Sequence, residues 1–393
     1  MSADKGMEVS IAASVAAKLA RVEAVAAYPI TPQTHIVEHL AEIVANGELD
    51  AAYINVESEH SAMSACVGAS ATGARTFTST SAQGMELMHE ILFIASGMRL
   101  PIVMASVNRA LSSPLSIWGD HSDVMAARDT GWIMLFTENG QEVVDSIIMA
   151  FKIAEDRRVL LPAMVNLDGF SLSHVIEPIQ FPSQEDVDRF LPPYAPLYTL
   201  HPDKPVTMGA YAMPELYTEA KYSQEIAIRN SKAVIKEVME QFSKDFGRKY
   251  NIVETYNIEK ADTVFMALGS INENIKTAID LLKDNGKELG LVAPRLFRPF
   301  PADELVEVLK TKKKLAVFER VMPGGAMNGP LYNEIASMAV QNGLDLQLEN
   351  YIFGLGGRDV EPEELIDVFE QISTSAKITH ADNKNYGVIG VRS

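Results

Sequence analysis

The sequence predicts an α/β protein: a doubly wound, mostly parallel sheet followed by a second, smaller α/β domain. Strand-like and helix-like segments alternate with short connections over the first 170 residues, and a second alternation begins near residue 252. Such alternation implies a parallel sheet with helices packed on both faces. Between the two lies a stretch with no sustained period. The chain has 393 residues, 47% of them hydrophobic, which is core material for two or three domains.

In the first alternation, EAVAAYPI (23–30) reads as a strand and QTHIVEHLAEIVAN (33–46) as an amphipathic helix after Pro32. DAAYINVES (50–58) is the next strand. EHSAMSACVGASATGA (59–74) is a helix of small residues suited to close packing on a sheet. RTFTSTSA (75–82) is a strand ending in hydroxyls, and QGMELMHEILFIAS (83–96) a helix. LPIVMASVN (100–108) and GWIMLFTE (131–138) are strands, GQEVVDSIIMAFKIAED (140–156) is a helix, and LLPAMVNLDG (160–169) is a sixth strand. From about 178 to 210 the chain is proline-rich and reads as a surface-wrapping connector; 215–247 reads as a long helix. These residues close a first domain of 1–250, with 178–250 as its connector.

The second domain, 251–393, repeats the alternation. DTVFMALGS, KELGLVAPRLFRPFP, KLAVFERV and DLQLENYIFGLGG read as strands, and NENIKTAIDLLKDNG, ADELVEVLKT, GPLYNEIASMAV and EPEELIDVFEQI as helices. The last fifteen or so residues read as a tail.

Net charge is −18, from 34 basic and 52 acidic residues. A surface this acidic repels phosphate backbones, which argues against a nucleic-acid partner. KTKKK at 310–314 reads as a solvated helix end. No apolar run is long enough to cross a membrane, and the start shows no secretory signal. The expected location is the cytoplasm. The single cysteine, Cys66, makes no internal disulfide and cannot hold an iron–sulfur cluster, which takes about four ligands; it reads as core.

In open parallel sheets, ligands bind beyond the carboxyl ends of the strands. Those ends here are YPITP (28–32), ESEHS (57–61), TSTSAQG (78–84), VNRALSSP (107–114), WGDHSD (118–123) and NLDGF (166–170). Three features are unusual there. Glu57 and Glu59 stand where a strand enters a helix, either as dipole partners or as functional carboxylates. The hydroxyls at 78–81 form a helix cap or offer donors to a ligand. Arg109 follows a core strand, where a guanidinium forms either a structural ion pair or a carboxylate clamp. Phosphate-loop and dinucleotide-binding glycine motifs are absent in the required context. HIVEH (35–39) matches the H-x-x-E-H zinc-peptidase pattern with His35, Glu38 and His39, but without an evident further ligand it reads as a solvated helix face. No metal ligand is expected in this chain.

Six blocks in order carry a resemblance: AYPITPQT (27–34), the run from Glu57 to Glu90, LPIVMASVNRAL (100–111), SIWGDHSDVMAARDTGW (116–132), RLFRPFP (295–301) and NYIFGLGGRDV (350–360). Together they resemble the alpha subunit of the pyruvate:ferredoxin oxidoreductases, thiamine-diphosphate-dependent 2-oxoacid:ferredoxin oxidoreductases. The resemblance covers nearly the whole chain. It implies a pyrimidine-binding thiamine-diphosphate-type domain, then a domain like the transketolase C-terminal one. It implies oxidative decarboxylation of pyruvate with coenzyme A to acetyl-CoA and CO2, with electrons passed to ferredoxin. Thiamine diphosphate would be shared at a subunit interface, with Mg2+ and 4Fe-4S clusters on partner subunits of beta, gamma and delta type. The chain lacks a G-D-G motif for Mg2+ and diphosphate and lacks a cysteine set, as a split enzyme requires. Glu59 takes the family's catalytic position, against the cofactor's pyrimidine ring. Thr31 and Arg109 take the positions that act on the substrate carboxylate, with Pro29, Ser81 and Arg109 also at the cofactor. Pro29 and Pro32 would stiffen the turn that presents Thr31. A neutral donor plus one guanidinium suits a monocarboxylate. The alternatives are the same chemistry on 2-oxoisovalerate or 2-oxoglutarate, or a non-catalytic scaffold subunit.

Overall fold

The computed structural model describes residues 5–374 and 385–392. Six parallel strands form most of the larger sheet, in the order Ile133–Phe136, Ala163–Asp168, Val103–Asn108, Thr76–Thr80, Ala24–Ala27 and Ala52–Asn55. The central strands are buried along their whole length, as expected when helices cover both faces. Successive residues point to opposite faces, so Val103, Ala105 and Val107 enter one core and Met104 another.

The first core is closed by the helices Val9–Leu19, Thr34–Ala45 and Gly140–Ala154 and by the C-terminal half of the helix Pro214–Phe246. Val9–Leu19 precedes the first expected strand. Its Ala12, Ala13, Ala16 and Ala17 are fully buried, so small side chains let it lie close against its neighbours. The 33-residue helix Pro214–Phe246 fits the expected helical stretch; it buries Val234, Ile235, Val238 and Phe242 and stops at Gly247, whose φ is 74°. The proline-rich connector is not featureless. It contains the helix Gln184–Phe190 and the strand Ile176–Ile179, which pairs antiparallel with Lys5–Glu8. Residues 83–96, expected as one helix, fall in two, Ala82–Leu87 and His89–Gly97, broken at Met88.

The smaller sheet has the order Gly387–Val388, Gln347–Ile352, Lys314–Glu319, Thr263–Met266, Leu289–Pro294 and Val253–Tyr256, with the last strand antiparallel. Gly387–Val388 lies within the expected tail; residues 379–384 and 393 of that tail lie outside the described residues. The stretch 287–301, expected as a strand running into a proline-rich turn, holds two strands. Leu289–Pro294 stays in the smaller sheet, while Leu296–Arg298 crosses to the larger one and pairs antiparallel with Ile133–Phe136. Phe297 then shares a core with Met104, Met134, Val264 and Val317, so the two sheets are packed through one apolar layer. No helix among the described residues is long and apolar enough to cross a membrane.

Candidate functional site

The carboxyl edge of the larger sheet gathers the loops at 28–33, 57–59, 81–84 and 109–118. The sheet reverses direction beside Ala24–Ala27: the chain runs outward to Ala52–Asn55, then returns to Thr76–Thr80 on the other side. A crevice opens at such a switch point. Gln33 spans it, donating from Nε2 to the Ser79 carbonyl at 2.7 Å and to the Tyr28 carbonyl at 3.2 Å.

Burial separates the two glutamates that sequence proximity confuses. Glu57 is exposed and accepts from Ser61 Oγ at 2.5 Å, which lowers its pKa. Ser58 caps the helix Glu59–Ala71, its hydroxyl accepting from Ser61 N at 3.2 Å. Glu59 opens that helix and is only 6% exposed. Its carboxylate takes part in no hydrogen bond or ion pair among the described residues, a costly state for a buried charge unless a ligand completes it. It rests on Gly84: a methyl group added there would stand 2.7 Å from Glu59 Oε1 and 2.8 Å from its Cγ, and closer still to Thr80 Oγ1. Thr80 Oγ1, Ser81 Oγ, Gln83 Oε1, Glu86 Oε1 and His89 Nδ1 are buried without a hydrogen-bond partner. Ser81 precedes Ala82–Leu87, but its side chain makes no capping bond. Five orphaned polar atoms in ten residues beside an unpaired carboxylate single this segment out as the candidate site.

Arg109 is also 6% exposed. Nη1 donates to the Thr31 carbonyl at 2.8 Å and Nε to the Ser116 carbonyl at 2.9 Å. No carboxylate among the described residues pairs with its side chain, so the structural ion pair considered from the sequence is not what holds it there. Burial lowers its pKa, with Asp123 opposing. Thr31 and Pro29 are exposed on the loop after Ala24–Ala27. Arg109 and Thr31 are thus in direct contact, and Glu59 and Ser81 flank the start of Ala82–Leu87. Asp123 links the pairs, with Oδ2 accepting from Ala82 N and Arg109 N, both at 2.9 Å.

The carboxyl edge of the smaller sheet faces the same region. Asp168, fully buried, accepts from His121 Nε2 at 2.7 Å, from Ser270 N at 2.8 Å and from Ser270 Oγ at 2.6 Å, and pairs with Arg320 Nη1 at 2.8 Å. Burial would raise its pKa, but Arg320 and His121 hold it well below the usual carboxylate range. The glycine turn at 354–357 docks on the loop after Arg109, with Gly357 N donating to the Gly119 carbonyl at 2.7 Å. Neither contact was legible in the sequence, which marked only the strand-end stretches 118–123 and 166–170 and the glycine run.

The zinc-like motif does not converge. His35 Nδ1 lies 2.6 Å from Glu8 Oε1, and His39 Nδ1 lies 3.4 Å from Glu42 Oε2. Glu8, His35 and His174 bring potential ligand atoms within 4.8 Å of one another, the one such trio among the described residues, though His35 and Glu8 already bond each other. Cys66 is fully buried, and burial pushes its thiol up to about 12.

Residues 15–240 match a family described as pyruvate flavodoxin/ferredoxin oxidoreductase, thiamine diphosphate-binding, and residues 261–365 match pyruvate:ferredoxin oxidoreductase core domain II. The chain belongs to the pyruvate:ferredoxin oxidoreductase family. It is an oxidoreductase subunit of that family, similar over nearly its whole length to several members. It is 52% identical over 364 residues to pyruvate synthase subunit PorA of Methanocaldococcus jannaschii, covering 92% of each chain. It is 46% identical over 387 residues to PorA of Thermotoga maritima, covering 98% of this chain and 97% of that one. It is 48% identical over 363 residues to ketoisovalerate oxidoreductase subunit VorA of Pyrococcus horikoshii, covering 92% and 91%. Among solved structures, a 2-oxoglutarate:ferredoxin oxidoreductase from Magnetococcus marinus, with 2-oxoglutarate, coenzyme A and succinyl-CoA bound, superposes with a TM-score of 0.71 at 20% identity. That match covers 94% of this chain and 65% of the other, and it speaks to the fold of this oxidoreductase subunit.

Proposed function

We propose that this chain is the pyrimidine-side subunit of a pyruvate:ferredoxin oxidoreductase, with residues 1–250 presenting the site and 251–393 bracing it. The observation that carries the reading is Glu59, a buried carboxylate left unpaired at the carboxyl edge of a parallel sheet. The orphaned hydroxyl and amide oxygens at Thr80, Ser81 and Gln83 fit the pyrimidine end of thiamine diphosphate, with Pro29 on the facing loop. Thiamine diphosphate, when bound, supplies the nucleophilic carbon and holds the electrons left by decarboxylation. Glu59 holds a proton at the pyrimidine ring nitrogen. Arg109, paired with no carboxylate among the described residues, binds the carboxylate of the 2-oxoacid, and Thr31 orients it. Mg2+, the diphosphate contacts and the 4Fe-4S clusters belong to beta-, gamma- and delta-type partners, in keeping with one buried cysteine here. Coenzyme A takes the acyl group, ferredoxin takes the electrons, and the complex works in the cytoplasm.

Glu59→Gln in the assembled complex tests this. Turnover should fall about 10²–10⁴-fold with assembly intact, while Glu57→Gln stays near wild type. Wild-type decarboxylation by Glu59→Gln refutes the role. A branched 2-oxoacid is the second reading, carried by the 48% identity to a ketoisovalerate oxidoreductase subunit. Comparing kcat/KM for pyruvate and 2-oxoisovalerate decides between them.

A further inference from the structure

Asp123 is fully buried at the second position of the short helix Ser122–Ala126, and no cation pairs with it among the described residues. Every group that meets its carboxylate is a donor. Oδ2 accepts from Ala82 N and Arg109 N at 2.9 Å each; Oδ1 accepts from Val124 N at 2.7 Å and faces Asn108 Nδ2 at 3.5 Å. A buried charge that feels the Arg109 guanidinium only from beyond ion-pair distance is among the costlier groups in a fold, and a bare structural link between strands needs none. The two backbone donors on Oδ2 belong to neighbouring strand ends. Thr76–Thr80 and Val103–Asn108 are adjacent in the sheet, and Ala82 and Arg109 follow them. Ala82 also holds a φ of 44°, a left-handed conformation that a residue with a Cβ avoids unless its surroundings impose it. That twist sends the chain from Ser81 into the helix carrying Gly84, the seat of Glu59.

We propose that Asp123 is a positioning residue: one carboxylate oxygen fixes the two strand ends and so sets Arg109 and the seat of Glu59 relative to each other. The proposal rests on the roles given above to Glu59 and Arg109. It explains the choice of acid over amide. An asparagine here keeps the shape but turns one acceptor into a donor, and in either orientation that donor faces other donors.

The test uses the assembled enzyme with Asp123→Asn, Arg109→Ala and the double variant. Asp123→Asn should raise the apparent KM for pyruvate and lower kcat, together costing about ten- to a hundredfold in kcat/KM, with the KM for coenzyme A within about twofold of wild type. The double variant should keep the pyruvate KM of Arg109→Ala alone, because on KM the aspartate acts through the arginine, while the kcat loss from the displaced seat of Glu59 persists. Wild-type kinetics in Asp123→Asn beside a raised pyruvate KM in Arg109→Ala overturns the proposal alone, as do KM penalties that multiply in the double variant. A wild-type pyruvate KM in Arg109→Ala overturns the reading of the site, and the proposal with it. A measurement on the wild-type complex does not depend on the variant folding. The amides of Ala82 and Arg109 should exchange with solvent as slowly as that of Ala105 at the sheet centre; fast exchange at both overturns the proposal.

Discussion

Gly84→Ala isolates geometry from chemistry at the site. The new methyl group would stand 2.7 Å from Glu59 Oε1, against the 3.4 Å at which ordinary contact begins. Glu59 must therefore retreat by roughly 0.7 Å, and Thr80 must turn with it; displacements near 1 Å at a reacting centre cost up to about 10²-fold in rate. Stability should fall only modestly. Thr80 Oγ1, 2.4 Å away on a fully buried β-branched side chain, has little room to turn, but alanine gains about 1 kcal/mol over glycine inside a helix and offsets part of that strain. The assay pairs thermal melting of the assembled complex with steady-state pyruvate oxidation. The expected result is a midpoint within a few degrees of wild type and kcat reduced roughly 10- to 100-fold. Gly97→Ala, where an added methyl meets nothing within 4 Å, is the control and should be silent in both. Wild-type kcat for Gly84→Ala would sink the idea that Glu59 must sit where it does.

Three further outcomes are expected. Arg109→Ala should raise the apparent KM for pyruvate at least tenfold, since a charge-assisted bond is worth about 1.5–3 kcal/mol and the Thr31 and Ser116 carbonyls lose their donor as well; Thr31→Val should be milder, and an effect confined to coenzyme A would mean the wrong ligand. Glu319, buried against the start of the helix Pro330–Gln341, is pushed by burial up to about 7 although Tyr332 N, Leu331 N and Asn350 donate to it. A carboxyl raised in the fold favours the protonated folded state. Its contribution is whole below the ordinary carboxylate pKa and fades as pH climbs through about 7. The melting midpoint should thus fall between about pH 5 and pH 8, and Glu319→Gln should flatten part of that slope, leaving the share of Asp123, also pushed to about 7 by burial; an unchanged slope refutes the assignment. The isolated chain should bind thiamine diphosphate weakly by calorimetry, because pyrimidine contacts alone leave the diphosphate and its Mg2+ unmet; micromolar binding without a partner would refute the shared site.

The central parallel strands of both sheets were legible because a parallel core strand is a short apolar run and little else resembles it between two helices, whereas the edge strands Val253–Tyr256 and Gly387–Val388 were not. Helix Val9–Leu19 was not, because an alanine-rich helix buried on most sides shows no amphipathic stripe to read. The break at Met88 and the crossing of Leu296–Arg298 depend on neighbours far away in the chain, which no local period records. At the site, Glu59, Arg109, Thr31 and Ser81 fell at strand ends, where topology alone directs attention. Pro29 did too, and its place on an exposed turn follows from the same rule. Asp123 lay within a strand-end stretch but drew no notice, because its partners are backbone amides 14 and 41 residues away. Gly84 read as an ordinary helix residue; only the carboxylate lying across it makes its missing side chain meaningful.

The crossing of Leu296–Arg298 has an architectural price. With that ribbon the second lobe supplies the outermost rung of the first lobe's sheet, so the boundary near residue 250 is a border in sequence but not in space. Cutting there would strip the Ile133–Phe136 strand of its neighbour and leave a bare row of amides and carbonyls, ready to recruit a strand from any other molecule. The halves are therefore poor modules. Neither can be exchanged, shed or expressed by itself without injuring the other, and a lineage that inherits one is constrained to keep both.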